Sequence, residues 1–268
     1  MEFQAKLPSL EHLHYTDYDY VYEPSDDTFL LCDALSNEYQ EELSKHFTYC
    51  EIGSGSGCVI TFIGQLLKSN NYINPLLLAV DVNNKANEMT LKTATANDVH
   101  VECVRMNLIS SFRDSNSIDK SNNGSYSYNN DLTSSMSLST LSLLPLLDVI
   151  IFNPPYVPTP TDEVGGEGIE ASWAGGENGR QIIDEFLLNS FSNNNSDNNI
   201  TCESSSSGSS KLCKVLSPEG VIYMILVEEN KPQEVIQLCD RLGLVGTIIL
   251  SRRARNELLH VLKIKRKK

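Results

Sequence analysis

No run of this sequence reaches the ~18 consecutive apolar residues that a membrane-crossing helix requires, and Met1–Leu10 has no apolar core behind a basic start. A soluble, intracellular protein with no membrane attachment is expected, cytoplasmic and with the nucleus open to it. Basic charge is scarce: 21 Lys and Arg stand against 35 Asp and Glu, a formal net charge of -14. Nucleic-acid binding rests on clustered Lys and Arg neutralising phosphates, so this balance disfavours nucleic acid and points to a protein partner or a small ligand. One exception is Lys263 to Lys268, with five Lys or Arg in six residues. It reads as a solvated terminus, or as a localisation or RNA-contact tail. Paired cysteines are missing as well. Cys32, Cys50, Cys58, Cys103, Cys202, Cys213 and Cys239 are an odd set with no Cys-x-x-Cys spacing, which excludes the common zinc and redox motifs and leaves reduced, mostly buried thiols. No metal site is expected. His12, His14, His46, His100 and His260 are scattered and form no catalytic pattern.

Apolar residues are also rare in two internal stretches. Between Asp114 and Thr140 fourteen of twenty-seven residues are Ser or Asn, and between Asn189 and Ser210 fifteen of twenty-two. Such segments bury too little apolar surface to offset the entropy of ordering, and read as disordered insertions at about 114–140 and 189–210 in a single domain spanning 1–268. What remains alternates short apolar runs with helical patterns, the signature of a mostly parallel sheet covered by helices. Strands are expected at Phe47–Ile52, Leu76–Asp81, Val101–Arg105, Leu147–Phe152 and Val221–Val227, with Leu244–Leu250 and Leu259–Ile264 as a closing antiparallel hairpin. Helices are expected at Phe29–Leu35, Ser56–Leu67, Asn84–Asn97, Asn178–Leu188 and Pro232–Leu242.

Chemistry concentrates at strand ends. Glu51-Ile52-Gly53-Ser54-Gly55-Ser56-Gly57 sits where the first strand turns into a helix, and its glycines let a ligand approach the backbone. The spacing is not the dinucleotide G-x-G-x-x-G, and Gly57-Cys58 supplies no Lys for a nucleoside triphosphate. Asp81 ends the second strand, where a carboxylate can accept hydrogen bonds from both hydroxyls of a ribose. A nucleoside cofactor follows from the pair. Asn153-Pro154-Pro155-Tyr156 ends the fourth strand. Its prolines fix the backbone so that the Asn153 side-chain carbonyl and the Pro154 main-chain carbonyl can converge on one NH2 group, of an amide or an exocyclic amine. Tyr156 can cover the planar group or face a sulfonium cation. Glu23-Pro24 with Asp26, Asp27 and Thr28 suits a helix N-terminus and also a cofactor lid. Trp173 either shapes a substrate entrance or plugs the core.

These residues resemble the HemK2-type protein glutamine N5-methyltransferases, which modify the class-one translation termination factor. The likeness runs through Val21–Leu31, the glycine loop, Asp81-Val82-Asn83, Asn153–Tyr156 and Gly168–Arg180, and so through nearly all of the chain outside the insertions. The resemblance implies a seven-stranded, Rossmann-like class I methyltransferase fold and S-adenosylmethionine as cofactor. It implies cofactor contacts at Thr28, Glu51, Gly53, Gly55, Gly57, Asp81, Asn107, Leu108 and Asn153, with Asn153, Pro154, Pro155 and Tyr156 as the catalytic and substrate loop. Asn107 stands where the family has an Asp on the adenine, so weaker cofactor binding is expected. The resemblance further implies transfer to the glutamine of a Gly-Gly-Gln motif, and a heterodimer with a small zinc-binding activator. An exposed apolar strip near strand three would suit that partner. Competing readings are a histone lysine methyltransferase, an adenine N6-methyltransferase acting on DNA or RNA, and a cofactor-binding scaffold without turnover. The charge balance opposes the adenine reading, and the intact Asn-Pro-Pro-Tyr loop opposes the scaffold.

Overall fold

A computed structural model describes residues 6–107, 147–165, 169–191 and 216–268. Nearly all of both Ser/Asn-rich insertions, together with Leu108 and Gly168, lies outside those residues. Seven strands form one sheet: β1 Thr48–Ile52, β2 Leu76–Asp81, β3 Glu102–Arg105, β4 Leu147–Phe152, β5 Leu216–Val227, β6 Leu244–Ala254 and β7 Glu257–Arg266. Their order is β3-β2-β1-β4-β5-β7-β6, parallel from β3 to β5, with β7 antiparallel to both β5 and β6. Among the described residues five helices cover it: α1 Asp26–Glu38, α2 Cys58–Ser69, α3 Asn84–Ala96, α4 Gln181–Phe191 and α5 Pro232–Arg241. This is the mostly parallel sheet with a C-terminal hairpin that the alternation of patterns anticipates.

Alternation along the central strands builds two cores. In β5, Val221, Tyr223 and Ile225 face α1 and α2, while Ile222, Met224 and Leu226 face α4 and α5. The two packed faces explain why the parallel strands read as unbroken apolar runs rather than alternating ones.

Three boundaries differ for identifiable reasons. The α1 helix begins at Asp26, ahead of the expected Phe29, because Ser25, Asp26 and Asp27 supply a favourable N-terminus. The α4 helix runs to Phe191, past the expected end at Leu188, because Ser190 and Phe191 are buried against the sheet. The run Lys263–Lys268 is only in part a solvated terminus, since Lys263 to Arg266 belong to β7 and Lys267 and Lys268 alone follow it. There Lys263 pairs with Glu38 and Glu42, Lys265 with Glu42, Lys267 with Asp240 and Lys268 with Glu219. The strand period puts Lys263 and Lys265 on one face, where α1 and the segment after it supply the acids.

Candidate active site

The order β3-β2-β1-β4 reverses direction of growth between β1 and β4, so a crevice forms at the carboxyl ends of those strands. Ile52 is level with Val80 and with Phe152, which sets the glycine loop directly between Asp81 and Asn153. The three loops that sequence alone singled out therefore share one edge, with Asn107 following β3 beyond Asp81.

The β1 side is made of main chain. Gly53, Gly55 and Gly57 adopt φ of +68, +53 and +77, a left-handed conformation that other residues enter only at a cost of ~1–2 kcal/mol. A Cβ on Gly53 or Gly55 would meet nothing within 4 Å, so the loop leaves an open cradle above it. The Gly55 N–H donates to Asp81 Oδ2 at 3.0 Å and the Asn83 N–H to Oδ1 at 2.9 Å. Those bonds fix the carboxylate while leaving further lone pairs for hydroxyl donors. Burial raises the Asp81 pKa, and the backbone donors Asn83, Gly55 and Val82 work against it. Glu51 is buried, accepts the Ile60 N–H at 2.9 Å, and has its pKa raised well above the carboxylate range by desolvation. Cradle, acid and buried carboxyl fit a nucleoside bearing a polar tail. Asn107 is exposed at the end of β3, and Leu108 lies outside the described residues.

The β4 side is made of side chains. Asn153, Pro154, Tyr156, Val157, Tyr22, Asp27, Ser172 and Trp173 line a cavity of about 40 Å³. Trp173, half-buried, thus belongs to the cavity wall and not to the core. The Asn153 Nδ2 donates to Asp27 Oδ2 at 2.9 Å, whereas its Oδ1 is buried without a partner among the described residues. A lone buried acceptor costs ~1–3 kcal/mol, and its place on a cavity wall marks it as awaiting a donor. The Tyr156 hydroxyl donates to the same Asp27 oxygen at 3.0 Å. Burial and then Asp27 raise the pKa of Tyr156 strongly, and push that of Tyr22 up to about 12, so both remain donors near neutrality.

The loop's main chain is equally constrained. The Val157 N–H donates to the Trp173 carbonyl and the Gly175 N–H to the Val157 carbonyl, a short parallel bridge. Asn230, fully buried, sends its amide NH2 to the carbonyls of Tyr156 and Asn178, each at 2.9 Å, and accepts the Val227 N–H at 2.8 Å. Gly179 has φ +66, and a Cβ there would collide with the Tyr156 carbonyl. Sequence reasoning missed Asn230 altogether, and read Asp27 only as an N-terminal acid or lid. Nothing local signals either role, because the partners that define it, Asn153 and Tyr156 for Asp27 and Tyr156 and Asn178 for Asn230, lie far along the chain.

Fold and strand-end loops define a class I methyltransferase. No family model matches the chain. It is 35% identical over 247 residues to human "Methyltransferase HEMK2", covering 91% of this chain and 88% of that protein. It is also 28% identical to the Schizosaccharomyces pombe eRF1 methyltransferase catalytic subunit mtq2, over 97% of this chain and 95% of that one. Among solved structures it is similar to the E. cuniculi Mtq2–Trm112 complex, described as responsible for methylating the eRF1 translation termination factor. That match has a TM-score of 0.51 at 21% identity and covers 92% of this chain and 99% of that one. The chain belongs to the HEMK2 methyltransferase family and is a methyltransferase.

Proposed function

We propose that this protein transfers a methyl group from S-adenosylmethionine to the N5 of a glutamine side chain, in the Gly-Gly-Gln motif of a class-one translation termination factor. The observation that carries the reading is the unpartnered Asn153 Oδ1 on a cavity wall that Pro154 also lines, with the Pro154 carbonyl as the second acceptor of the reading. Two acceptors on one planar NH2 hold both N–H bonds and so direct the nitrogen lone pair. An amide nitrogen is a weak nucleophile because that lone pair is delocalised, and aiming it is what a protein can contribute. Bound S-adenosylmethionine would supply an electrophilic methyl on sulfonium sulfur. Gly53, Gly55, Asp81 and Asn107 would hold its nucleoside, and Glu51, Thr28 and Asn153 its methionine end. The chain's own part would be to hold both N–H bonds of the amide through transfer, the nitrogen giving up a proton to water afterwards. Tyr156 and Trp173 would flank the planar group.

The relatives named above support the protein substrate, and Trm112 in the related complex supports a small activator, which we take to be zinc-binding. Among the described residues β3 has its outer edge unpaired, a place where a partner could add backbone hydrogen bonds. Its exposed side chains are Glu102 and Arg105, so β3 itself carries no apolar strip of the kind that would suit the partner.

Co-expression with the activator, followed by labelled methyl transfer to the termination factor and to its Gln→Ala variant, tests the reading. Label on the first alone is expected. Equal label on both would overturn it.

A further inference from the structure

Asp27 and Asp26 are neighbours at the start of α1, yet Asp26 is exposed and Asp27 is 2% exposed. A helix N-terminus alone explains a surface acid, as at Asp26, and not a carboxylate removed from water. The burial of Asp27 is offset by donors. Its Oδ1 accepts from the Thr28 N–H at 2.7 Å, the Thr28 hydroxyl at 3.2 Å and the Tyr22 hydroxyl at 3.2 Å. Its Oδ2 accepts from Asn153 Nδ2 at 2.9 Å and the Tyr156 hydroxyl at 3.0 Å. One oxygen is tied to α1 and its approach, the other to the loop that ends β4.

From this we infer that Asp27 is a positioning residue for methyl transfer: it sets which end of the Asn153 amide faces the substrate. The inference rests on the functional reading above. An Asn side chain can turn over and exchange its oxygen and nitrogen with little change in shape, so some neighbour must choose between them. A carboxylate only accepts, and therefore selects the Nδ2 end, leaving Oδ1 for the NH2 of the incoming group. With the amide reversed, Asn153 would meet that NH2 with its own donors. Tyr156 shares the same carboxylate oxygen, so ring and amide are set together, and Thr28 links the pair to the first turn of α1. A neutral residue of equal shape at position 27 can donate as well as accept, and the choice is lost.

The test is an exchange of the two groups. Asp27→Asn is expected to lower kcat about 100-fold, the scale of a misplaced reacting group. Asn153→Asp alone sets two carboxylates face to face and should be as inactive. In the double variant, Asp27→Asn with Asn153→Asp, the amide now at position 27 donates to a carboxylate at position 153 whose other oxygen is still an acceptor. There kcat should recover about tenfold over Asp27→Asn through coupling of the pair. A merely structural role for Asp27 predicts no such recovery. Full activity of Asp27→Asn, or a double variant no better than the singles, overturns the inference. Should Asp27→Asn fail to fold, the wild-type protein still decides: the Asn153 side-chain NH2 protons should exchange slowly with water by NMR, and rapid exchange overturns the inference. Every variant is assayed on whichever NH2 substrate the wild-type chain labels, a glutamine protein or an adenine oligonucleotide. A wild type that labels only adenine therefore sinks the glutamine reading while Asp27 is judged on its own result.

Discussion

Where β1 and β2 end, the crevice is walled by main chain and one carboxylate, Gly53 to Gly57 and Asp81, joined by a bond that spans only 26 positions. Where β4 ends, it uses side chains whose orientation is imposed from far away. Asp27 reaches Asn153 across 126 positions, and Asn230 reaches the Tyr156 carbonyl across 74. A cofactor shared by many enzymes can be held by a local backbone cradle. A weakly nucleophilic nitrogen has to be aimed, and aiming requires groups that the fold, and not the local chain, holds still.

Breaking the distant half should separate turnover from cofactor binding. Gly179→Ala places a methyl against the Tyr156 carbonyl at a positive φ, and a displacement of about 1 Å in a reacting group costs about 100-fold in kcat. Steady-state kinetics beside calorimetry should show that fall with cofactor affinity retained. Asn230→Ala strips donors from buried carbonyls of the Tyr156 and Asn178 peptides and should cost about 3 kcal/mol of stability in urea unfolding. Breaking the local half should do the reverse. Gly55→Ala has room for its methyl only where the cofactor would lie, so affinity should weaken about tenfold, while strain of ~1–2 kcal/mol at φ +53 lowers the thermal midpoint by about 2–8 °C.

The local half was legible in the sequence for the same reason that it is simple to alter. Glycines at alternate positions and Asp81 at a strand end each carry their meaning within a few residues; of the distant half, only the Asn-Pro-Pro-Tyr loop itself did so, and not the groups that orient it. Asp27 was legible only as a helix-start acid or lid residue, since its partners Tyr156 and Asn153 lie beyond β1, β2, β3 and β4 along the chain and meet it only in the folded chain. Asn230 gave no local signal, being one Asn in a turn before Pro232. The strand within the basic run Lys263–Lys268 was legible only to Ile264, because composition shows charge and not the acids opposite it. Glu38 and Glu42 become visible as partners only once α1 is packed on β7.

That network yields a pH prediction. Burial acts to raise the Glu42 pKa, but hydrogen bonds from Lys265, Lys263 and His46 outweigh it and bring it down to about 2. A depressed carboxylate contributes stability above its unfolded pKa, near 4.3, and loses it as pH falls through the folded value. Glu42→Gln should therefore cost about 2 kcal/mol at pH 7, and the gap to wild type should close between about pH 4.5 and pH 2, as followed by chemical unfolding. The smallest effect concerns the cofactor. Asn107→Asp should tighten S-adenosylmethionine binding about fivefold, since a charged acceptor makes the stronger hydrogen bond to an adenine amino group.

The most direct test of the account offers the wild-type protein, with its activator and labelled S-adenosylmethionine, a termination factor and an adenine oligonucleotide together, and maps the product by mass spectrometry. Methyl on the side-chain nitrogen of the glutamine, and on nothing else, is the result predicted by a cavity built to hold one planar amide. Methyl on adenine, or on a lysine of the protein with that glutamine untouched, would contradict it.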